Sequence, residues 1–191
     1  NDHWTTGGGY AYSFINSRKP FSYHRVQGMI SHRAKFGQFR LTNGVQLEKY
    51  FPILQKFGAR GVVSSKLSYY GKRWPLKMSP FIRNQVYYYQ GGKPTTYWFS
   101  EVDQDTGELI EESFENSTNG WHRYRFTGGM RMKLSKPLSL TVFYIRQLEF
   151  NTGWSPETAL NIPNKSGTKL KRKINNYSLI GLSLSYTLKL Y

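Results

Sequence analysis

Apolar and polar residues alternate along much of the chain, and the alternation is clearest over residues 177–191. There, small or polar residues separate most of the apolar ones, which are Ile180, Leu182, Leu184, Tyr186, Leu188 and Leu190. A period of two predicts a β-strand with one apolar face and one polar face. Seven further segments show the same period, so we expect an all-β chain with eight strands. The predicted strands are 4–14, 21–33, 38–50, 57–70, 76–89, 121–134, 138–151 and 177–191.

The connections between these strands differ in length. Short connections (AKFG, GKRWP and SKP) follow the second, fourth and sixth strands, whereas the two longest, residues 90–120 and 152–176, follow the fifth and seventh. Short turns at one end and long loops at the other are typical of an outer-membrane barrel with both termini in the periplasm. We therefore expect one domain over residues 1–191, an antiparallel up-and-down transmembrane β-barrel with its long loops outside the cell.

The number of strands is open between eight and ten. Residues 97–102 and 109–114, within the first long connection, have the lengths of two additional short strands. They would form a hairpin that either extends above the membrane or joins the barrel wall. Asp105-Thr106-Gly107 suits the tip of this hairpin, because glycine adopts a positive φ without strain. Eight strands is the first expectation and ten is the alternative.

Three segments resemble the small outer-membrane β-barrels of Gram-negative bacteria, and in particular an outer-membrane barrel family of unknown function. They read LKMSPFIRNQVYYYQ, HRYRFTGGMRMKLSKPLSLTVFYIRQLEFN and SLSYTLKLY. The resemblance implies a protein of the bacterial outer membrane, inserted by the barrel assembly machinery through its C-terminal strand. It implies neither catalytic residues nor a cofactor. The expected insertion signal consists of Leu182, Leu184, Tyr186, Leu188, Leu190 and Tyr191.

Amino-acid composition excludes several kinds of chemistry and of membrane segment. The chain has no cysteine, which excludes disulfides and thiolate chemistry. No apolar run approaches the length of a membrane helix, and because the chain begins at Asn1 without an apolar leader, we expect any signal peptide to have been removed. The net charge is +16, and seven of the 11 acidic residues lie between Glu101 and Glu115. The remainder of the chain is therefore strongly basic.

If the apolar strand faces contact lipid, the opposite faces fill the barrel. The basic residues on those faces are Arg25, Arg33, Arg40, Arg60, Lys66, Lys77, Arg83, Arg123, Arg125, Arg131 and Lys133. Glu48 and Glu149 are their only acidic partners on the strands. One interpretation is a solid plug of paired side chains, as is usual in eight-stranded barrels. The other interpretation is a water-filled lumen that attracts anions, and hence a small anion channel, because burying unpaired charges without water is costly.

Residues in the connections and at the strand ends suggest contacts with the membrane surface. The basic residues Lys165, Lys169, Lys171, Arg172 and Lys173 would face the phosphates of lipopolysaccharide, or would form a solvated loop that complements the acidic segment. Aromatic residues near strand ends suit an interfacial girdle, although each also suits an ordinary core. They are Trp4, Tyr70, Trp74, Tyr87, Tyr88, Tyr89, Trp121 and Trp154.

Catalytic and metal-binding signals are weak. A lipid hydrolase needs a nucleophile beside an oriented histidine, yet strict alternation puts His24, His32 and His122 on the lipid face or its rims. A lipid-modifying enzyme is therefore the less favoured alternative. Weak candidates for a cation site lie in the acidic segment, whose spacing does not fit an EF-hand. These candidates are Asp103, Asp105 and Glu108.

The sequence thus favours a non-enzymatic structural or accessory subunit of an outer-membrane assembly. The expected partners are outer-membrane lipid, lipopolysaccharide and other outer-membrane proteins, and no cofactor is expected. A soluble nucleic-acid-binding barrel is disfavoured, because the basic residues alternate with long apolar rows and do not cluster with exposed aromatic residues on one surface.

Overall fold

The structure is a computed structural model that describes residues 3–16, 20–70, 74–102, 107, 109–153, 155–161, 172 and 174–187. Its regular structure is almost entirely β, which confirms the predicted all-β class. The strands are β1 (Trp4–Ile15), β2 (Phe21–Phe36), β3 (Phe39–Phe51), β4 (Ala59–Tyr69), β5 (Ser79–Gln90), β6 (Thr95–Val102), β7 (Leu109–Asn116), β8 (Asn119–Lys133), β9 (Leu138–Glu149) and β10 (Tyr177–Tyr186). No helix within these ranges is both long enough and apolar enough to span a membrane.

Eight of the strands form one antiparallel sheet, in the order β1-β2-β3-β4-β5-β8-β9-β10. This up-and-down sheet curls into a half-barrel, so the expected eight-stranded antiparallel sheet is confirmed. The strands β6 and β7 pair only with each other, from Thr95 opposite Asn116 to Val102 opposite Leu109. The hairpin therefore does not join the eight-stranded sheet, and the alternative of a ten-stranded sheet is wrong.

The half-barrel is open between its first and last strands. Within the described residues, β1 and β10 are the two edges of the sheet and do not pair with each other. A closed barrel, as expected from the sequence, requires that pairing. Pairing of β1 with β10 would join the two strands of the sheet that are farthest apart in sequence, and no turn connects them to set the register.

The strands begin and end within a few residues of their predicted limits. The clearest difference is the start of β5, because Pro75–Lys77 forms a short 3-10 turn instead of strand. Leu76 and Lys77 have φ values of 51° and 47°, a conformation that does not fit a strand. At the C-terminus β10 ends at Tyr186, and residues 188–191 lie outside the described ranges.

The two ends of the half-barrel differ. At the short-turn end, residues 37–38, 70–78 and 134–137 connect the strands, whereas the long-loop end carries residues 16–20, 52–58, 91–118 and 150–176. The buried core lies at the long-loop end of the concave face. It combines strand residues with residues of the connections, namely Tyr50, Phe57, Val62, Tyr87, Tyr89 and Leu160. The core therefore depends on the long connections folding back over the sheet.

Gly92 lies where two of these connections cross, which provides a test of their packing. A Cβ atom at this position would lie 2.6 Å from Oγ1 of Thr118 and 2.8 Å from the carbonyl oxygen of Lys56. Since backbone atoms cannot move aside as a flexible side chain can, we expect Gly92→Ala to lower the free energy of unfolding by about 1–3 kcal/mol. Thermal unfolding of the purified protein, followed by tryptophan fluorescence, measures this effect.

Gly28→Ala is the matched control, because a Cβ atom there meets nothing within 4 Å. Its stability should equal or slightly exceed that of the unsubstituted protein. Equal stability of the two alanine variants would contradict the crossing of the connections at Gly92.

Candidate functional site

The convex face of the half-barrel is an exposed apolar wall. On β10, Ile180 and Leu182 expose 78% and 71% of their surface. Exposed apolar residues on the same face of other strands include Tyr10, Val26, Val45, Leu47, Val63 and Ile82. Soluble monomers rarely expose an apolar surface of this extent. The convex face is thus mainly apolar, although Lys49 and Arg146 are exposed on it, and the buried strand charges lie on the concave face. This is the reverse of an ordinary soluble sheet.

Half of the residues of the expected insertion signal lie within the described part of the chain. Leu182, Leu184 and Tyr186 alternate on the apolar wall and are all exposed. The other members of the signal, Leu188, Leu190 and Tyr191, lie outside the described residues.

Glu48 organises one half of the concave face near the long-loop end. Its buried carboxylate pairs with Arg60 at 2.5 Å and with Arg25 at 3.5 Å. Tyr50 donates a 2.6 Å hydrogen bond to Oε2, and the side-chain amide of Gln46 donates a 2.7 Å hydrogen bond to Oε1. Because both carboxylate oxygens accept hydrogen bonds, including one from a charged group, the cost of burying the charge is offset.

Glu149 has the same role on the other half. The guanidinium group of Arg123 lies 2.5 Å from Oε1, and Tyr89 donates a 2.9 Å hydrogen bond to the same atom. The ammonium group of Lys56 and the backbone N–H of Asn175 donate to Oε2. Burial lowers the pKa of Lys56, while the hydrogen bond and the charge of Glu149 act in the opposite direction. The sequence did not indicate Lys56, because it belongs to a connection and has no place in the strand alternation.

Tyr87 lies between these two carboxylate networks. The guanidinium carbons of Arg60, Arg123 and Arg125 lie 5.2, 5.4 and 5.4 Å from the centre of its ring. Cation–π contacts of this kind contribute about 0.5–2 kcal/mol each. Arg125 also donates a 2.5 Å hydrogen bond to Oε1 of Gln147. This end of the concave face is therefore packed with paired charges and aromatic rings.

The connections at the long-loop end form a cap over the core, which consists of residues 52–58, 91–94, 117–118, 150–153 and 155–161 together with Arg172. Backbone hydrogen bonds join its parts, from the N–H of Lys93 to the carbonyl of Leu54 (2.9 Å) and from the N–H of Ser117 to the carbonyl of Glu157 (2.8 Å). The cap therefore covers the buried core at the long-loop end of the concave face.

Arg172 joins the parts of the cap and is only 3% exposed. Its guanidinium group donates to oxygens of Gln55, Lys93, Thr95, Asn116 and Leu160. In the described part of the chain these partners are all neutral, and burial lowers the pKa of Arg172. The planar guanidinium group can reach several carbonyl oxygens at once, which a lysine cannot do.

The position of Arg172 corrects one prediction from the sequence. We expected it to face outward toward anionic lipid, but its guanidinium group is enclosed and donates to protein oxygens. Alternation could not indicate this, since the residue lies in a connection. The other basic residues of that group lie outside the described residues, so their contact with lipid stays a prediction. They are Lys165, Lys169, Lys171 and Lys173.

His122 is also displaced from its expected position. The pairing of β5 with β8 shifts by one residue, so that Tyr87 opposes Arg123 but Tyr88 opposes Trp121. His122 is therefore the additional residue of a β-bulge, which interrupts the alternation. It is buried, whereas the prediction placed it on the apolar outer face or its rims.

The aromatic residues near strand ends differ in exposure, and Tyr88 is half-buried, edge-on against Trp121. Trp4, Tyr70, Trp74 and Trp121 are exposed, as an interfacial girdle requires. Tyr87 and Tyr89 are buried in the core and follow the alternative interpretation. Trp154 lies outside the described residues.

The short-turn end of the concave face has a different electrostatic character. Its basic residues are Arg33, Arg40, Lys66, Arg83 and Arg131, placed there by the strand pairing. In the described strands no Asp or Glu shares this part of the face. The expected acidic partners, Glu48 and Glu149, both lie at the opposite end and pair there with other residues.

Within the described ranges, no three His, Asp or Glu residues lie close enough to hold a metal ion. Asp103, Asp105 and Glu108 lie outside those ranges. His24 forms a 2.6 Å hydrogen bond with Tyr10 on the apolar wall. What the arrangement can do chemically is hold anionic groups on its concave face.

Comparison of the chain with protein-family models, with curated proteins and with solved structures found no match.

Replacement of Arg172 tests its role in the cap. Arg172→Lys keeps the positive charge but leaves several buried carbonyl groups without donors, each at a cost of about 1–3 kcal/mol. We expect the free energy of unfolding to fall by about 3 kcal/mol or more, and the connections to become susceptible to limited proteolysis. Thermal unfolding and timed protease digestion measure the two effects.

Arg146→Lys is the matched control, because Arg146 is an exposed strand arginine that donates a 2.9 Å hydrogen bond to Ser178. Its stability and digestion pattern should match those of the unsubstituted protein. If Arg172→Lys behaves in the same way as this control, Arg172 does not hold the cap together.

Proposed function

We propose that this chain is an integral outer-membrane β-barrel protein without enzymatic activity, acting as a structural or accessory subunit of an outer-membrane assembly. The observation that carries the proposal is the exposed, mainly apolar wall behind a concave face on which the strand carboxylates and their cation partners are buried. Water around that wall would cost about 25 cal/mol for each square ångström of apolar surface. Lipid removes this cost, so the orientation of the two faces is favourable in a membrane and unfavourable in water.

Strand length and connection pattern support the same environment. The shortest strand of the main sheet has 10 residues and the longest has 16. A tilted strand needs about 9–11 residues to cross the apolar layer. Short connections at one end and long connections at the other are typical of outer-membrane barrels. In this arrangement the short-turn end faces the periplasm and the cap faces outward.

A membrane environment adds one requirement. Unpaired backbone N–H and C=O groups are very costly in lipid, so the edges of β1 and β10 must be paired there. Pairing the two edges with each other would close the sheet into the barrel that the resemblance of the sequence implies. The exposed residues Ile180 and Leu182 on β10 fit insertion through the C-terminal strand.

The cap supports a role in contacting partners rather than in conduction. The packed networks around Glu48 and Glu149 and the cap above them fill the long-loop end of the concave face, which is unfavourable for an anion channel. The hairpin of β6 and β7 extends from this end as a separate sheet. Trp98 on β6 is 70% exposed, and tryptophan is enriched where proteins bind one another. This hairpin is the surface we assign to a partner protein.

A charge placed on the wall separates lipid contact from water contact. Leu47, which is 65% exposed, lies in the middle of the wall on β3. If the wall contacts lipid, Leu47→Arg costs about 2–4 kcal/mol near the bilayer midplane and reduces the amount of protein in the outer-membrane fraction. Expression with a signal peptide, membrane fractionation and comparison of boiled with unboiled gel mobility measure this, since a folded barrel is heat-modifiable.

Ile53→Arg is the matched control, because Ile53 is 51% exposed but belongs to the cap. This variant should fractionate and migrate like the unsubstituted protein. If Leu47→Arg instead folds normally and both proteins remain soluble without detergent, the wall does not contact lipid and the membrane proposal fails.

A further inference from the structure

The cations at the short-turn end repel one another and have no carboxylate partner in the described strands, although Lys66 and Arg40 each lie over an aromatic ring. Lys66 on β4 stands directly opposite Arg83 on β5, and like charges in that position destabilise a sheet. Arg40, Arg83 and Arg131 all repel the ammonium group of Lys66. By contrast, Arg60 and Arg123 at the long-loop end each pair with a buried carboxylate. The same face therefore has neutralised cations at one end and unneutralised cations at the other.

A cavity of about 280 Å³ lies among these cations. Lys66 and Arg131 line it, and four hydroxyl groups from different strands line it as well. The hydroxyl-bearing residues are Ser68, Ser79, Thr141 and Ser185. Cationic and hydroxyl donors from five strands thus converge on one space, which is the combination that oxyanions require.

Two of the guanidinium groups at this end have unused donors. The Nε atoms of Arg33 and Arg40 are buried and have no hydrogen-bond partner. Nη1 of Arg40 donates a 3.0 Å hydrogen bond to Tyr70, and Nη2 of Arg131 donates a 3.1 Å hydrogen bond to Ser139. These bonds orient the guanidinium groups and leave other N–H donors available. Buried donors without acceptors are uncommon in proteins. Nε of Arg25, which pairs with Glu48 through Nη1, is unused as well, so it is the absence of a carboxylate that distinguishes the short-turn end.

We propose that the short-turn end of the concave face is a binding site for a phosphate group, held by Lys66 and Arg131, with Arg83 beside Lys66 adding positive charge. A carboxylate carries one charge and two oxygens, which are too few for this set of cations and hydroxyls. A phosphate monoester or inorganic phosphate carries a charge of about −1.5 to −2 at neutral pH and offers at least three acceptor oxygens. The cap covers the opposite, long-loop end of the face, which favours binding of the anion over its passage.

The phosphate can be free in solution or belong to a lipid headgroup, and both sources present the same oxygens. The site does not depend on the membrane proposal, because its cations and hydroxyls lie on the concave face whatever surrounds the wall. A soluble protein that binds phosphate would therefore support this inference while contradicting the membrane proposal.

Isothermal titration calorimetry of the purified full chain with inorganic phosphate, in chloride buffer at low ionic strength, tests the first source. We expect saturable binding that weakens at least tenfold in Lys66→Gln and persists in Lys66→Arg. Arg146→Gln is the control, because Arg146 lies on the convex face and should leave the affinity unchanged. Native mass spectrometry with micelles containing phosphatidic acid tests the lipid source, with inorganic phosphate as the competitor.

Thermal unfolding gives a second readout that does not depend on calorimetric heat. Without phosphate, Lys66→Gln should unfold at a higher temperature than the unsubstituted protein, because it removes a repulsive charge. Added phosphate should raise the unfolding temperature of the unsubstituted protein but not that of Lys66→Gln. Binding of inorganic phosphate or of phosphatidic acid that is lost in Lys66→Gln supports the site. Absence of binding to both probes, or equal binding by Lys66→Gln, overturns it.

Discussion

The fold depends on two buried carboxylates, Glu48 and Glu149, which make it possible to enclose a basic face. Each accepts hydrogen bonds from arginine and tyrosine, and together they neutralise the arginines closest to the core. Removing a charge from water costs several kcal/mol unless partners satisfy it. Because these networks satisfy the arginines, the sheet can curl with its charged side inward and its apolar side outward.

In the cap, too, hydrogen bonds make the burial of a charged side chain possible. Arg172 is buried without a carboxylate in the described part of the chain, and backbone and side-chain oxygens from separate connections accept its hydrogen bonds. One residue thus holds together segments that are far apart in sequence. The two ends of the concave face therefore differ: cations are paired with carboxylates at the long-loop end and are unpaired at the short-turn end. The proposed phosphate site lies at the short-turn end, where the described strands supply no counter-charge.

The alternation of apolar and polar residues predicts the side of the sheet on which a residue lies wherever the chain is a regular strand. It predicted the eight strands of the main sheet and the side of the sheet on which Arg60, Lys66 and Arg123 lie. It failed at His122, because a bulge adds one residue and shifts the pattern. It gave no information on Lys56 and Arg172, because connections have no period. Where backbone geometry repeats, a local pattern is sufficient, and where it does not, only distant contacts fix the side chain.

By itself, the sequence determined the all-β class, the order of the strands and the two faces of the sheet, since each follows from the period-two spacing of apolar residues and from the lengths of the connections. The tertiary structure alone decided which cations are neutralised. That outcome depends on how far along the strands Glu48 and Glu149 lie from each basic residue, and on which connections fold over them. The pairing register and the packing of the cap set these distances, and no short segment of the chain encodes either of them.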